Sequence, residues 1–364
     1  MFNFLELKPE SFGLDFSDYS LRLIKLRESG TKFNVSSFNE VAIPEGVIIN
    51  GEIKNEETLV EIIKQTVSSV KGQGLETKHV IASLPERKAF LRVIKMPCLS
   101  EEDLKSAVVF EVENYIPLPV NEVYLDSQII SSPKTNGKKK EHYDVLIAAL
   151  PKKTVDPYFS VLKKAGLTPT ALEIESFSII RSLVENKVEK NPIAIIDLGI
   201  ARTAFITFSG VSLRDSFTIP VSSRDFSSAI ERNLNVDSKI AKELKIKYGL
   251  DNKSKEGKEV FDALTPVLTD LVEQLKKYLN YYQNHDDNLL KKDKIDKILL
   301  TGGDATLKKL PEILSEQLSV KVEAGNPWIN ILSPGEGVAN NFPVQKSLLF
   351  TSAIGLALRG IKRE

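Results

Sequence analysis

Residues 12–29 begin with the apolar run "FGLDF", break at "SDY" and resume as "SLRLIKLRES", where Leu21, Leu23 and, less strictly, Ile24 and Leu26 alternate toward a turn at Gly30. This period predicts a strand, a tight polar turn and a second strand. A third strand, "TKFNVSSFNEVAIP", ends at Pro44. The same order returns further on: "IAIIDLGIART" carries an aspartate turn, "TAFITFSG" runs to Gly210, and "VSLRDSFTIP" ends at Pro220. Each block reads strand, aspartate turn, strand, glycine turn, strand, and each closes in Ile-Pro. The pattern predicts a duplicated unit.

The intervening segment has a different rhythm. "HVIASLPERKAFLRVIKMP" predicts two short strands, and "LSEEDLKSAVVFEVENYIPLP" a helix with Ser100 as its N-cap and Asp103 closing a capping box. Leu104, Val108, Val112 and Tyr115 give that helix one apolar face. "EVYLDSQIISS" and "HYDVLIAALP" predict a hairpin around the polar tip "PKTNGKKKE", whose Lys138 to Lys140 run reads as a solvated tip rather than a phosphate patch. Residues 88–152 are thus expected to form an inserted α+β subdomain.

The chain returns through the helix "TVDPYFSVLKKAG", the strand "PTALEIE" and the helix "SFSIIRSLVEN". Beyond the second block, "SAIERNLNVDSKIAKELKIKYGL" and "LTPVLTDLVEQLKKYLNYYQN" predict helices, with Val267, Leu271, Leu275, Tyr278 and Tyr282 on one packing face. Pro266 is expected in the first turn of the latter, where its missing N–H is harmless. "DKILLTGGDATLKKLPEIL" predicts strand, glycine turn and helix, and "VKVEAGNP" a strand. The last helix, "SLLFTSAIGLALRG", is too short and too interrupted for a membrane span. Its Ser352, Ala353, Gly355 and Ala357 predict a close crossing with the helix bearing Ser176 and Ser178.

At 364 residues the chain is long enough for two to four subdomains. Lys plus Arg and Asp plus Glu both number 49, so no global field draws it to nucleic acid or anionic lipid. A single cysteine, Cys98, excludes an internal disulfide, and three scattered histidines give no zinc site. The first residues lack a basic region followed by an apolar run, so no signal peptide is expected. These features together predict a cytoplasmic protein.

Three turns could carry chemistry: residues 15–20 with Ser17, Asp18, Tyr19 and Ser20; residues 197–203 with Gly199, Ala201, Arg202 and Thr203; and residues 301–306 with Gly302, Gly303 and Asp304. Backbone N–H groups in tight turns make anion-binding concavities, and the hydroxyls of Ser17, Ser20 and Thr203 would add donors. Asp15 and Asp197 end their strands, where their carboxylates could hold Mg²⁺ through water. The "TGG" turn would let backbone approach a nucleobase or ribose, since glycine offers no side chain to obstruct it. No Walker A loop and no GxGxxG after a strand occurs, and His79, His142 and His285 make no credible triad.

The two aspartate hairpins with "ILLTGGDA" resemble the phosphate and adenosine motifs of the superfamily that contains actin and hexokinase. The subdomain order, with its insertion placed as in the division protein FtsA, resembles the type IV pilus assembly PilM family. That resemblance is carried by "FGLDFSDYSLRLIKL", "RVIKMPCLSEEDLKSAVVFEVENYIPLPVNEVYLD", "IIDLGIARTAF", "AKELKIKYG", "LLTGGDATLKKLPEIL" and "AIGLALRG" across essentially the whole chain. It implies an α/β, actin-like fold of two lobes: subdomain 1A from residues 1–87 and 153–191, 1C from 88–152, 2A from 192–224 and 293–364, and 2B from 225–292.

It further implies ATP with Mg²⁺, and a partner in the short cytoplasmic tail of a PilN-like membrane protein. Pilus motor ATPases are a further implied partner, and membrane association would come only through partners at the inner membrane. Phe90, Val93, Tyr115 and Pro117 are candidates for the tail-binding groove, with filling of the subdomain core as the equal alternative. Self-association stays open.

Several positions depart from the family pattern. Ser17 stands where a glycine is usual, with Asp18 beside it, where a carboxylate facing phosphate would repel it. Lys242 and Lys245 occupy the positions expected to face ribose and adenine, and an ammonium at the first cannot accept a ribose hydroxyl proton. Ser222 and Ser223 replace a Gly-Gly pair. Only Glu173 and Glu175 are candidates for positioning an attacking water, so hydrolysis is expected to be slow or absent. The readings are therefore an ATP-binding pilus component, a nucleotide-independent interaction scaffold with a degenerate cleft, or a small-molecule kinase, which the small insertion argues against.

Overall fold

The computed structural model describes residues 9–29, 32–130, 134–135, 138–139, 142–185, 189–285, 294–331 and 342–361. In chain order the principal elements begin with β1 (Phe12–Phe16), β2 (Ser20–Ser29), β3 (Lys32–Ala42), α1 (Glu56–Ser68), β4 (His79–Leu84) and β5 (Phe90–Pro97). They continue with α2 (Glu101–Val112), β6 (Val123–Ile129), β7 (His142–Pro151), α3 (Lys152–Lys164), β8 (Thr168–Ile174) and α4 (Glu175–Leu183). Then come β9 (Glu189–Leu198), β10 (Thr203–Gly210), β11 (Ser212–Ile219), α5 (Ser223–Leu234), α6 (Ser238–Tyr248) and α7 (Lys255–His285). β12 (Lys297–Gly302), α8 (Leu310–Leu318), β13 (Lys321–Ala324) and α9 (Thr351–Ile361) complete the chain.

The chain divides into two compact units, one of Met1–Lys88, Lys152–Asn186 and Asn326–Glu364, the other of Ala89–Pro151 and Lys187–Gly325. In the first, β1, β2 and β3 form an antiparallel meander, and β4 and β8 extend the sheet in parallel on the β1 side. In the second, β9, β10 and β11 form the meander, and β12 and β13 extend it in parallel beyond β9. Apart from a two-residue strand, Lys71–Gly72, that pairs antiparallel with the outer side of β3, both sheets share one plan, three antiparallel strands followed by two parallel ones. The duplication expected from the aspartate hairpins extends to strands that the hairpin pattern does not contain.

Each parallel addition is bracketed by helices, as a crossover connection requires. In the first unit the C-terminal helix α9 packs on β1 and α4, and its Ala353, Ile354, Ala357 and Leu358 share a core with Ile24, Phe38, Trp328, Phe342 and Phe350. The expected α4–α9 crossing is present: Ser178 Oγ lies 2.9 Å from Ser352 Oγ. A Cβ built on Gly355 would sit 1.8 Å from the Ser178 carbonyl oxygen, so only glycine permits this separation.

In the second unit, β5, β7 and β6 form a three-stranded antiparallel sheet covered by α2, and β5 lies against β11. Ser100 caps α2 by accepting the Asp103 N–H. Leu104, Val108 and Val112 are buried as the periodicity predicts, but the helix ends at Val112. Tyr115, expected on the same apolar face, lies beyond the helix in a turn and is 41% exposed. Pro117 and Pro119 follow closely and preclude continuation.

Pro266 lies inside α7 rather than in its first turn. The helix starts at Lys255, where Ser254 Oγ accepts the Gly257 N–H at 3.0 Å, and the turns before Pro266 are held by buried Val260, Ala263 and Leu264. Tertiary packing here overrides the local cost of proline. Tyr278 of α7 stacks on Phe217 at 4.5 Å and Phe205 at 6.0 Å, a packing role as expected. Gly30 and Lys140 lie outside the described residues; Lys134–Thr135 and Lys138–Lys139 pair with each other. No helix among the described residues is long and apolar enough to cross a membrane.

Candidate functional site

The first unit presents the β1–β2 hairpin. β1 is buried throughout because the sheet continues on both sides of it. Asp15 pairs in register with Arg22, and both are buried. Ser352 Oγ donates to Asp15 Oδ1 at 2.7 Å, and Arg22 Nη1 stands 4.0 Å from Oδ2. Arg22 Nε donates in turn to Glu40 Oε1 at 3.0 Å. Burial pushes the Glu40 carboxyl up, but the charges of Arg22 and Lys346 outweigh it and hold the group below the usual carboxylate range. The register about "SDYS" points to Arg22 as the partner of Asp15, whereas nothing in the sequence signals Ser352, 337 positions away.

The turn itself is closed from within. Ser17 N–H donates to the Ser20 carbonyl at 2.9 Å, and Ser17 Oγ accepts the N–H groups of Ser20 at 3.0 Å and Tyr19 at 3.4 Å. Asp18 is engaged elsewhere: its two carboxylate oxygens accept the N–H groups of Asn50 at 2.9 Å and Gly51 at 3.0 Å. Asn50 and Gly51 both have positive φ, 52° and 74°, so their N–H groups converge into a backbone anion receptor, which Asp18 fills. Asp18→Ala is expected to destabilise the first unit by about 2 kcal/mol, the scale of hydrogen bonds to a charged group, and urea unfolding would read it. A variant as stable as the wild type would show that this contact contributes nothing.

The second unit assembles two of the three turns side by side. Asp197 and Leu198 of β9 lie in register with Thr301 and Gly302 of β12. Gly302 has φ 90°, and a Cβ on it would fall 2.5 Å from the Leu198 carbonyl oxygen and 2.8 Å from Asp197 Oδ1. Glycine is required there by backbone conformation and by the neighbouring carboxylate. Gly303 N–H donates to the Leu198 carbonyl at 3.1 Å. Thr203 is fully buried, and its hydroxyl donates to the Val221 carbonyl at 2.6 Å rather than into the turn. The carbonyls of Gly199 and Ile200 accept N–H groups from Ser223 at 2.9 Å and Arg224 at 3.3 Å, which docks the start of α5 on this turn. Ala201 is exposed and Arg202 half-buried.

Lys245 joins these pieces. It is buried on α6, and its Nζ donates to Asp304 Oδ2 at 2.9 Å and to the carbonyl and hydroxyl oxygens of Ser223 at 3.0 Å each. An ammonium has three donors, and all three are used. Lys245 therefore clamps α5, α6 and the Gly302–Asp304 turn together, while Lys242 on the same helix is exposed.

Glu173 is buried in β8, and its carboxylate accepts from Arg181 Nη1 at 2.8 Å and Nη2 at 2.6 Å, with Arg359 Nη1 at 3.4 Å. It ties β8 to α4 and α9. Glu175 opens α4, where its carbonyl accepts the Ser178 hydroxyl at 2.7 Å. In the inserted segment, Phe90 packs against the core of Ile94, Met96, Leu104 and Val108, Val93 is half-buried and Pro117 is exposed. The Arg92 guanidinium lies 4.7 Å from the ring centroid of Tyr115.

Residues 13–361 match the family model described as type IV pilus assembly protein PilM. The chain belongs to the PilM family. This PilM-family chain is 26% identical to a chain of a solved PilM-PilN type IV pilus biogenesis complex, with a TM-score of 0.79 over 98% of this chain and 100% of that one. It also resembles the ethanolamine utilization protein EutJ from Carboxydothermus hydrogenoformans, at 13% identity and TM-score 0.55 over 95% of this chain and 88% of that one. MreB5 of Spiroplasma citri bound to AMPPNP matches at 12% identity and TM-score 0.53 over 96% and 95%. These last two show kinship of fold alone, and that fold is actin-like.

Proposed function

We propose that this PilM-family chain acts in type IV pilus assembly as an actin-like, nucleotide-binding adaptor that takes the short cytoplasmic tail of a PilN-like membrane protein and relays its own nucleotide state to pilus motor ATPases. The observation that carries the partner is the likeness to a chain of the PilM-PilN complex over almost the full length of both. The inserted segment, residues 88–152, is the surface assigned to the tail, and that tail is what holds the protein at the inner membrane.

Support for nucleotide binding comes from the hairpins. Each unit places an aspartate, Asp15 or Asp197, near the end of a strand before a tight turn, and in the second unit the Gly302–Gly303 turn lies beside that hairpin. In this reading the backbone of Gly199, Ala201 and Arg202 receives phosphate, and Gly302 and Gly303 give way to ribose and base. Mg²⁺ would arrive with the phosphates, and Asp15 and Asp197, each near the end of its own strand, are the carboxylates offered to it.

Calorimetry with a synthetic PilN-like tail tests the proposal. The peptide is expected to bind, with an affinity that MgATP changes by roughly 5-fold or more, the range of ordinary allosteric coupling. Absence of peptide binding sinks the adaptor role. Binding indifferent to MgATP favours the second reading, a nucleotide-independent scaffold, for which the full internal engagement of Lys245 already speaks.

A further inference from the structure

We infer that Ser17 is an affinity-setting residue: its hydroxyl occupies the backbone donors of the first hairpin turn, so a bound phosphate chain must compete with this chain's own side chain. The inference rests on the nucleotide reading above and refines it.

The two hairpin turns differ in what their N–H groups do. In the first, Ser17 Oγ accepts from Ser20 N–H at 3.0 Å and Tyr19 N–H at 3.4 Å, and it stands 2.9 Å from Ser20 Oγ. The oxygen thereby takes the place that an anion's oxygen would fill in a turn of this kind. In the second, Gly199 N–H donates to the Asp197 carbonyl at 3.1 Å, but the N–H groups of Ile200 and Ala201 have no acceptor among the described residues, and Ala201 is exposed. The second turn is ready for an anion, whereas the first is already satisfied.

Other polar groups of the first hairpin are engaged in the same way. Asp15 Oδ1 holds the Ser352 hydroxyl, and both oxygens of Asp18 are bound by the Asn50–Gly51 turn. Neither of these bonds involves the Tyr19 and Ser20 N–H groups, which donate to Ser17 Oγ, so removing that oxygen loosens the turn. Phosphate would gain charge-assisted bonds to two backbone donors but must first displace a neutral hydroxyl from them, which lowers the net gain.

Ser17 does not have positive φ, so alanine can replace it without backbone strain and glycine is not required for the geometry. The test is the affinity of the full chain for MgATP, measured by calorimetry for wild type, Ser17→Ala and Ser17→Thr. Ser17→Ala is expected to bind about tenfold more tightly, the value of one charge-assisted hydrogen bond, and Ser17→Thr, which keeps the oxygen, should match the wild type. Binding by Ser17→Ala where the wild type shows none supports the inference equally.

Wild-type binding that Ser17→Ala leaves unchanged or weaker overturns the role of Ser17 and leaves the nucleotide reading standing. No binding by any of the proteins at millimolar MgATP overturns both. Thermal unfolding of each variant confirms that the hairpin persists, and Ser17→Gly replaces the alanine variant if that one fails to fold.

Discussion

Gly355→Val is expected to destabilise the first unit by about 3 kcal/mol or more, the upper range for overpacking a well-filled interior. The obstacle is backbone: a Cβ at this position would lie 1.8 Å from the Ser178 carbonyl oxygen, 2.5 Å from its carbon and 2.9 Å from its Cα. α4 and α9 would have to separate. That separation would also strain the Ser178–Ser352 contact, the Arg181 bond to the Gly355 carbonyl at 3.2 Å, and through Ser352 the bond to Asp15. Gly74, where an added Cβ meets nothing within 4 Å, is the control, and Gly74→Ala should change stability by less than about 0.5 kcal/mol. Equal urea midpoints for the two variants would refute the close-crossing argument.

The second large effect belongs to Lys245. Lys245→Met leaves Asp304 buried without its cation and Ser223 without its donor, and breaking a buried pair from one side typically costs about 3–5 kcal/mol. The double variant Lys245→Met/Asp304→Leu should recover much of that loss, because it removes the stranded carboxylate together with its partner. A double-mutant cycle by urea unfolding reads the coupling directly. Additive effects of the two substitutions would mean that the 2.9 Å contact contributes no pairwise stability. The same variants address ligand binding. If Lys245 acts by holding the Gly302–Asp304 turn, the single variant should weaken MgATP binding in proportion to its instability.

Glu173 shows how a candidate drawn from position alone acquires a different meaning from its surroundings. From the sequence it is a carboxylate on the strand that returns to the first half, available to position water. In the structure two guanidiniums enclose it, one of them through both nitrogens, and it braces β8, α4 and α9. Lys245 follows the same pattern. Its helix, its spacing from Lys242 and its place in the family motif are all legible, yet Asp304 lies 59 positions away and Ser223 22. No local period reports such a meeting.

What the sequence determined by itself is the set of local commitments. Alternating apolar positions, the aspartate turns and the Ile-Pro endings specify two β-meanders, because a period of two and a tight turn are properties of a few adjacent residues. The Ser100 cap, the small-residue face of α9 and the "TGG" turn are of the same kind, as is membership in the PilM family, which depends on motifs read in order. Tertiary structure alone decided where those commitments met. It carried α7 through Pro266, turned Asp18 to the Asn50–Gly51 turn and placed Ser352 on Asp15. The physical reason is that a buried polar group must find a partner wherever the fold brings one within hydrogen-bond reach, and that distance in space is not encoded by distance along the chain.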